Sequence, residues 1–310
     1  MERKELLRKP VKDFKVRKGM SVAELVESFG GAGGFTASHL AKAAGILRDM
    51  LADKECTRFL SFPACVVSTG MRGVLAQAVK EFDAVITTCG TLDHDLARAW
   101  GGKYYAGAFE LDDWRLHGMK INRLGNVLVP NESYGETLER GMAPVLKELT
   151  GQKKEWGGRE LIGEFGRRVK DENSILHQAA KHNVPIYVPG ITDGAFGTNL
   201  LMWAQDGKLK VDVLKDEKEL SDIVFDAKKL GALLLGGGIS KHHVIWWSQF
   251  KRGLDYAVYV TTASEFDGSL SGARLREAVS WGKVKEKARF VTVDGDVTVL
   301  FPLLWAAAGV

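Results

Sequence analysis

Glu277, Trp281 and Lys283 fall within seven residues, "EAVSWGK", and Gly282 directly precedes the lysine. An amine, an indole and a carboxylate at that spacing could do nucleophilic chemistry, provided the amine is partly neutral. A free lysine has a pKa of about 10.4, so only about one in a few thousand is neutral near pH 7. Burial beside an aromatic ring lowers that value towards a usable nucleophile. The segment also has a plainer reading. "SGARLREAVSWGK" patterns as a helix from about Ala273 to a terminating glycine at Gly282, with Glu277 and Trp281 on one face. A lysine just past a helix C-terminus is a charge partner for the dipole. Periodicity does not choose between the two.

"GGGISKHH" sets His242 and His243 after a glycine turn, where an imidazole could move protons near neutral pH or serve structurally. The cysteines and histidines show no metal-ligand spacing, so no metal site is expected. Asp193, Asp267 and Asp296 each close a strand-like run. They are either acceptors for a ligand's hydroxyls and amines or helix caps.

The elements that must position these residues are short apolar runs: "RFLSF" (58–62), "DAVITT" (83–88), "VPIYVPG" (184–190), "ALLLGGG" (232–238), "YAVYVTT" (256–262) and "FVTVDGD" (290–296). Stretches such as "SVAELVESF", "ASHLAKAAGILRDML", "GVLAQAVKEF" and "YGETLERGMAPVLKELT" lie between them with helical spacing. This alternation predicts an α/β fold: a doubly wound, mostly parallel, Rossmann-like sheet with helices on both faces. Nearly every run ends in small and polar residues, as strands do when a nucleotide binds beyond their carboxyl ends. Neither GxGxxG nor a P-loop is present. Trp100 to Gly157 is richer in Gly and charge and reads as an insertion covering the sheet's edge. The apolar "VTVLFPLLWAAAGV" tail reads as a strand followed by a docked helix, too short to span a bilayer and interrupted by Pro302.

A chain of 310 residues allows one large α/β domain or two modest ones. Residues 1–18 carry Arg3, Lys4, Arg8, Lys9, Lys12, Lys15, Arg17 and Lys18 and read as a basic, solvated arm, leaving 19–310 as one domain. A net charge of +4 is too small to argue for nucleic acid. Cys56, Cys65 and Cys89 form no CxxC pair, which points to a reducing, cytoplasmic compartment.

"GGGISKHH", "DYAVYVTTASEFDGSLSGARLREAVSWGK" and "LFPLL" resemble the C-terminal half of the deoxyhypusine synthase family, and "FTASHLAKA", "STGMRG", "NVLVPNESY" and "VPIYVPGITDGAFG" resemble its earlier blocks in order. The resemblance runs from about Val11 to the C-terminus and is closest to compact, archaeal-type members. It implies NAD-dependent transfer of the 4-aminobutyl group of spermidine, or a related polyamine, to one lysine of the hypusine-carrying translation initiation factor 5A. The group would travel as an imine on Lys283. The resemblance assigns Ser68, Thr88, Cys89, Gly90, Asp193, Gly237, Thr262, Ala263 and Asp296 to NAD. It assigns Asp93, His94, His242, Gly268, Ser269, Glu277, Trp281 and Lys283 to the amine substrate, with His242 moving protons. It also implies a homotetramer with active sites at dimer interfaces.

The chain departs from the family where charge matters. His94, Thr198 and Leu270 stand where carboxylates are usual, and Ala64 and Cys65 replace a Ser-Asn pair. Two other functions fit the same blocks: a homospermidine-synthase-like transfer to free putrescine, and a non-catalytic NAD-binding paralogue.

Overall fold

All six apolar runs become strands of one sheet: β1 (Cys56–Ser61), β2 (Ala84–Ile86), β3 (Ile186–Tyr187), β4 (Lys229–Leu235), β5 (Leu254–Thr261) and β6 (Val284–Asp294). Every pairing in it is parallel. Its spatial order is β6-β5-β4-β1-β2-β3, the 3-2-1-4-5-6 arrangement of dinucleotide-binding sheets. The structure is a computed structural model and describes residues 3–309; Met1 and Glu2 of the arm and Val310 of the tail lie outside the described residues.

Alternation along β4 shows how both faces are covered. Leu230, Ala232 and Leu234 pack into one core with the helices Val213–Asp226, Gly238–Ser248 and Leu275–Ser280. Leu233 and Leu235 point into a second core with the helices Phe35–Ala52, Met71–Ala78 and Val297–Ala308. Side chains two apart share a face, so one apolar strand serves two helical layers.

The stretch from Trp100 to Gly157 forms a three-stranded antiparallel sheet (Tyr105–Ala106, Val127–Pro130, Ile121–Leu124) and the helix Gly135–Gln152. Ahead of the first long helix, Val22–Ala32, the arm is anchored as well as solvated. Lys12 N donates to Gly31 O at 2.9 Å, and Phe14 packs edge-on against Phe29. The tail differs from expectation. It is helical from Val297 to Ala308, with no strand of its own. Asp296 caps it by accepting from Thr298 N at 2.9 Å and from the Thr298 hydroxyl at 2.6 Å, which fixes a helix start that β-branched residues alone do not signal. Among the described residues no helix is long and apolar enough to cross a membrane.

A buried ion pair ties the β2 side of the sheet to the layer beneath it. Arg72 Nε donates to Asp95 Oδ1 at 2.5 Å, and its Nη1 donates to Asp171 at 2.7 Å. Asp95 also accepts from the Ser174 hydroxyl and from the N–H groups of Ile175 and Leu176, so it caps the helix Ile175–Lys181 from outside. Removing one partner of such a pair leaves a charge without solvent or counterion. Arg72→Met is expected to cost about 3–5 kcal/mol of unfolding free energy in urea denaturation. A cost below about 1 kcal/mol would show that water reaches Asp95.

Candidate active site

Lys283 is held by its own main chain. The helix Leu275–Ser280 ends in a Schellman motif: Gly282 adopts φ +67°, its N–H bonds Val279 O at 3.0 Å, and Lys283 N–H bonds Ala278 O at 2.9 Å. On its other side, Lys283 O accepts from Leu254 N at 3.1 Å, joining the start of β5. Gly253, at φ +94°, lies flat against this peptide, and a Cβ there would stand 2.8 Å from Val284 N and 2.9 Å from Gly282 O. The backbone of Lys283 is therefore fixed before its side chain makes any contact.

The side chain is 9% exposed. Its Nζ lies 5.2 Å from the Trp281 ring centre and 5.8 Å from that of Trp246. No carboxylate pairs with it among the described residues. The Trp246 ring lies 5.8 Å from that of His242, one helical turn earlier, at an interplanar angle of 32°. Burial holds the His242 imidazole below its ordinary pKa, helped by the nearby positive charges of Lys283 and Lys241, so the ring is neutral near pH 7. Glu277 is exposed on the helix Leu275–Ser280, and Gly268, Ser269 and Leu270 lie on the exposed loop that leads into it. His243 faces away, with Nε2 3.2 Å from Glu217.

The other assigned residues gather at the carboxyl edge. Between β1 and β4 the chain order reverses, and there Gly236 (φ +74°) turns against Pro63. Two helices, Cys89–Ala99 after Thr88 and Gly238–Ser248 after Gly237, begin at this edge with no side-chain cap. Gly90 and Gly237 must be glycine, because a Cβ would come within 2.8 Å of Ala64 Cβ and 2.4 Å of Ser271 Cα. Thr262 and Asp193 are exposed, and Ala263, next to Thr262 in the chain, is half-buried. Ser68 is buried, its hydroxyl donating to Cys65 O at 2.8 Å. The Cys89 thiol donates to Ile191 O, and burial pushes it up to about 12. A concavity of about 470 Å³ lined by Arg159, Tyr187 and Glu219 among others lies by β3 and contains none of these residues.

Asp93 and His94 are buried in the helix Cys89–Ala99. Asp93 accepts from the Tyr134 hydroxyl (2.7 Å) and from Ala195 N (3.0 Å) and Phe196 N (2.7 Å), capping the helix Ala195–Gln205. Burial raises its pKa and those three donors oppose the rise. His94 Nδ1 meets the Tyr104 hydroxyl at 2.8 Å. Burial, aided by Arg98, pushes its pKa down to about 4, so it carries no charge at neutral pH.

Two members of the lysine's surroundings escaped the sequence reading. Trp246 lies four residues after His242, the spacing that puts side chains on one helical face. Lys241 belongs to the buried stripe 241, 244, 245 and 248 of its helix, so its register alone marks it as inward-facing.

Residues 24–308 match the family model of deoxyhypusine synthase. The chain belongs to the deoxyhypusine synthase family. It is 54% identical to a curated relative from Thermoplasma volcanium and 53% identical to one from Ignicoccus hospitalis, both named probable deoxyhypusine synthase. The alignments cover 99% of this chain in each case, and 99% and 97% of those relatives. A crystal structure of an Entamoeba histolytica protein described as a deoxyhypusine synthase shares the fold over 96% of both chains, with a TM-score of 0.67 at 21% identity. The protein is thus an enzyme, a transferase of this family.

The two glycines around Lys283 differ in what a methyl would meet. At Gly282 a Cβ finds open space, so Gly282→Ala is expected to cost about 1 kcal/mol, the penalty of a left-handed conformation. Gly253→Ala adds a backbone collision and is expected to cost at least twice as much in urea denaturation. Equal costs would mean that the two segments are not pressed together.

Proposed function

We propose that this enzyme moves the 4-aminobutyl group of a polyamine to one lysine of translation initiation factor 5A, with NAD as cofactor and Lys283 as the covalent carrier. The observation that carries the reading is the Lys283 amine: nearly buried, walled by two indoles, without an acidic partner, and fixed by its main chain. An amine tied into a salt bridge would be a poor nucleophile.

The carboxyl edge fits NAD. Two uncapped helix N-termini beside a glycine turn at the switch point suit a pyrophosphate. Ser68, Thr88, Cys89, Gly90, Asp193, Gly237, Thr262, Ala263 and Asp296 would hold it, with Cys89 and Asp296 contributing beyond the bonds they already make. When bound there, NAD would supply a hydride acceptor for the amine's oxidation and a hydride donor for the final reduction. Lys283 then takes the aminobutyl group as an imine while the diamine leaves, and the neutral His242 ring accepts and returns the proton of that exchange. Trp281, Trp246 and Glu277 orient the cationic donor against the lysine.

Lys283 and the NAD crevice sit at opposite edges of one sheet. Lys283 adjoins the Leu254 end of β5, and Thr262 and Ala263 follow its other end; seven rises of about 3.3 Å separate the two by roughly 20 Å. Trp281 and Trp246, beside the lysine, are both exposed. Both facts support a homotetramer in which one copy's amine half meets another's NAD half. Three free cysteines suit a cytoplasmic location.

Borohydride added during turnover with NAD and spermidine is expected to trap the aminobutyl group on Lys283. Lys283→Ala should bind NAD normally and modify no acceptor. Adducts on another lysine would refute the assignment, and supplying the translation factor or putrescine identifies the acceptor.

The donor follows from where charge is missing. Asp93 and Asp95 are spent as helix caps, His94 is neutral, and Thr198 and Leu270 carry no charge. Glu277 and Asp267 remain. A guanidinium is more weakly hydrated than an ammonium and stacks on aromatic rings, which this lining offers. A guanidino-capped aminobutyl donor is therefore expected to react at least as fast as spermidine in initial-rate assays. A spermidine preference above about tenfold, about 1.4 kcal/mol, would overturn it.

A further inference from the structure

Among the described residues two lysines are buried, Lys283 and Lys241, and the chemistry above uses only the first. Lys241 is 1% exposed. Its Nζ donates to Leu270 O at 2.8 Å and to Ala273 O at 2.5 Å, and lies 4.1 Å from the centre of the Tyr259 ring. Tyr259 in turn donates its hydroxyl to Ser271 O at 2.5 Å, joined by the Thr261 hydroxyl at 3.1 Å. The carbonyls of residues 270, 271 and 273 are thus all held from beneath. The glycines leave no slack: a Cβ on Gly272 would stand 1.9 Å from Ser264 O.

This loop carries Gly268, Ser269 and Leu270, and runs through Arg274 into the six-residue helix that bears Glu277 and ends before Trp281 and Lys283. Lys241 itself sits on the helix of His242 and Trp246. One ammonium therefore joins the two segments that face each other across the amine. Burying a lysine is costly, and an apolar side chain of similar volume would fill the space without desolvating a charge. Stability alone does not account for a cation here.

We propose that Lys241 is a positioning residue for the amine half of the site, setting the spacing between His242 and Trp246 on one helix and Trp281 and Lys283 beyond the other. The role rests on the reading of Lys283 given above. Burial, with the positive charges of Arg274 and Lys283 and against the pull of Glu277, pushes the Lys241 ammonium down to about 8. His242 and Tyr259 complete the titratable groups facing it. Loss of its proton above that pH weakens the hold on the two carbonyls.

The test compares the wild type, Lys241→Met and Lys241→Gln, each with saturating NAD and a range of polyamine concentrations, by the rate of borohydride trapping on Lys283. Rates are normalised to folded protein by circular dichroism. The variants are expected to lose at least tenfold in kcat/KM, mainly through the donor's KM, with NAD affinity within about twofold of wild type. The wild-type KM should also rise above about pH 8, and that rise should be absent in Lys241→Met. Should both variants fail to fold, Tyr259→Phe, which removes the shorter of the two hydroxyl bonds to Ser271 O while keeping the ring, is expected to raise the donor's KM severalfold. Folded variants with unchanged KM, or with donor and NAD affinity falling together, overturn the proposal. A wild type that traps nothing on Lys283 overturns the reading beneath it as well.

Discussion

Parallel pairing is the constraint from which the rest follows. Because all six strands run the same way, each connection must cross back over a face of the sheet, and the helices that follow β2, β3, β4 and β6 start at its carboxyl edge. That gathers helix N-termini, glycine turns and the ends of strands in one place, where the order reverses between β1 and β4. The amino edge receives helix C-termini instead, and Lys283 stands there, in the turn that closes one of them. Positive and negative ends of backbone dipoles are sorted to opposite rims before any side chain is chosen.

Within that frame, carboxylates divide by burial into those that prop helix starts and those that face solvent. Asp93, Asp95 and Asp216 lie inside and present their oxygens to the first N–H groups of the helices Ala195–Gln205, Ile175–Lys181 and Gly158–Arg168. Each desolvated carboxylate is offset by backbone donors that would otherwise be unsatisfied. Glu277, Asp193 and Asp267 lie outside. Their oxygens face solvent and are not used up as buried caps for helix N-termini.

The strands were legible because each is apolar on both faces and closes in glycine or polar residues, a pattern that local sequence carries. The glycine turns and helix starts at the carboxyl edge followed from the same endings. What remained hidden is tertiary. "LDHD" shows two acids and a histidine in four positions, but not that the acids turn inward to cap helices roughly 80 and 100 residues later. "VTVLFPLL" has strand composition, and only the cap at Asp296 and the packing of Phe301 and Leu304 make it a helix. Lys241 was masked by its histidine neighbours, since a lysine on a buried stripe looks like an error of register until its carbonyl partners are seen.

Cys65 opens the chain just after Pro63, the residue against which Gly236 turns. The other two thiols are buried and pushed up to about 12, so at neutral pH almost none of either exists as thiolate. Burial raises the Cys65 thiol too, but it is the one exposed sulfhydryl of the three, close in the chain to the turn between β1 and β4. A fluorophore or spin label can be placed there without engineering away any other cysteine, and its signal would report directly on what enters between β1 and β4.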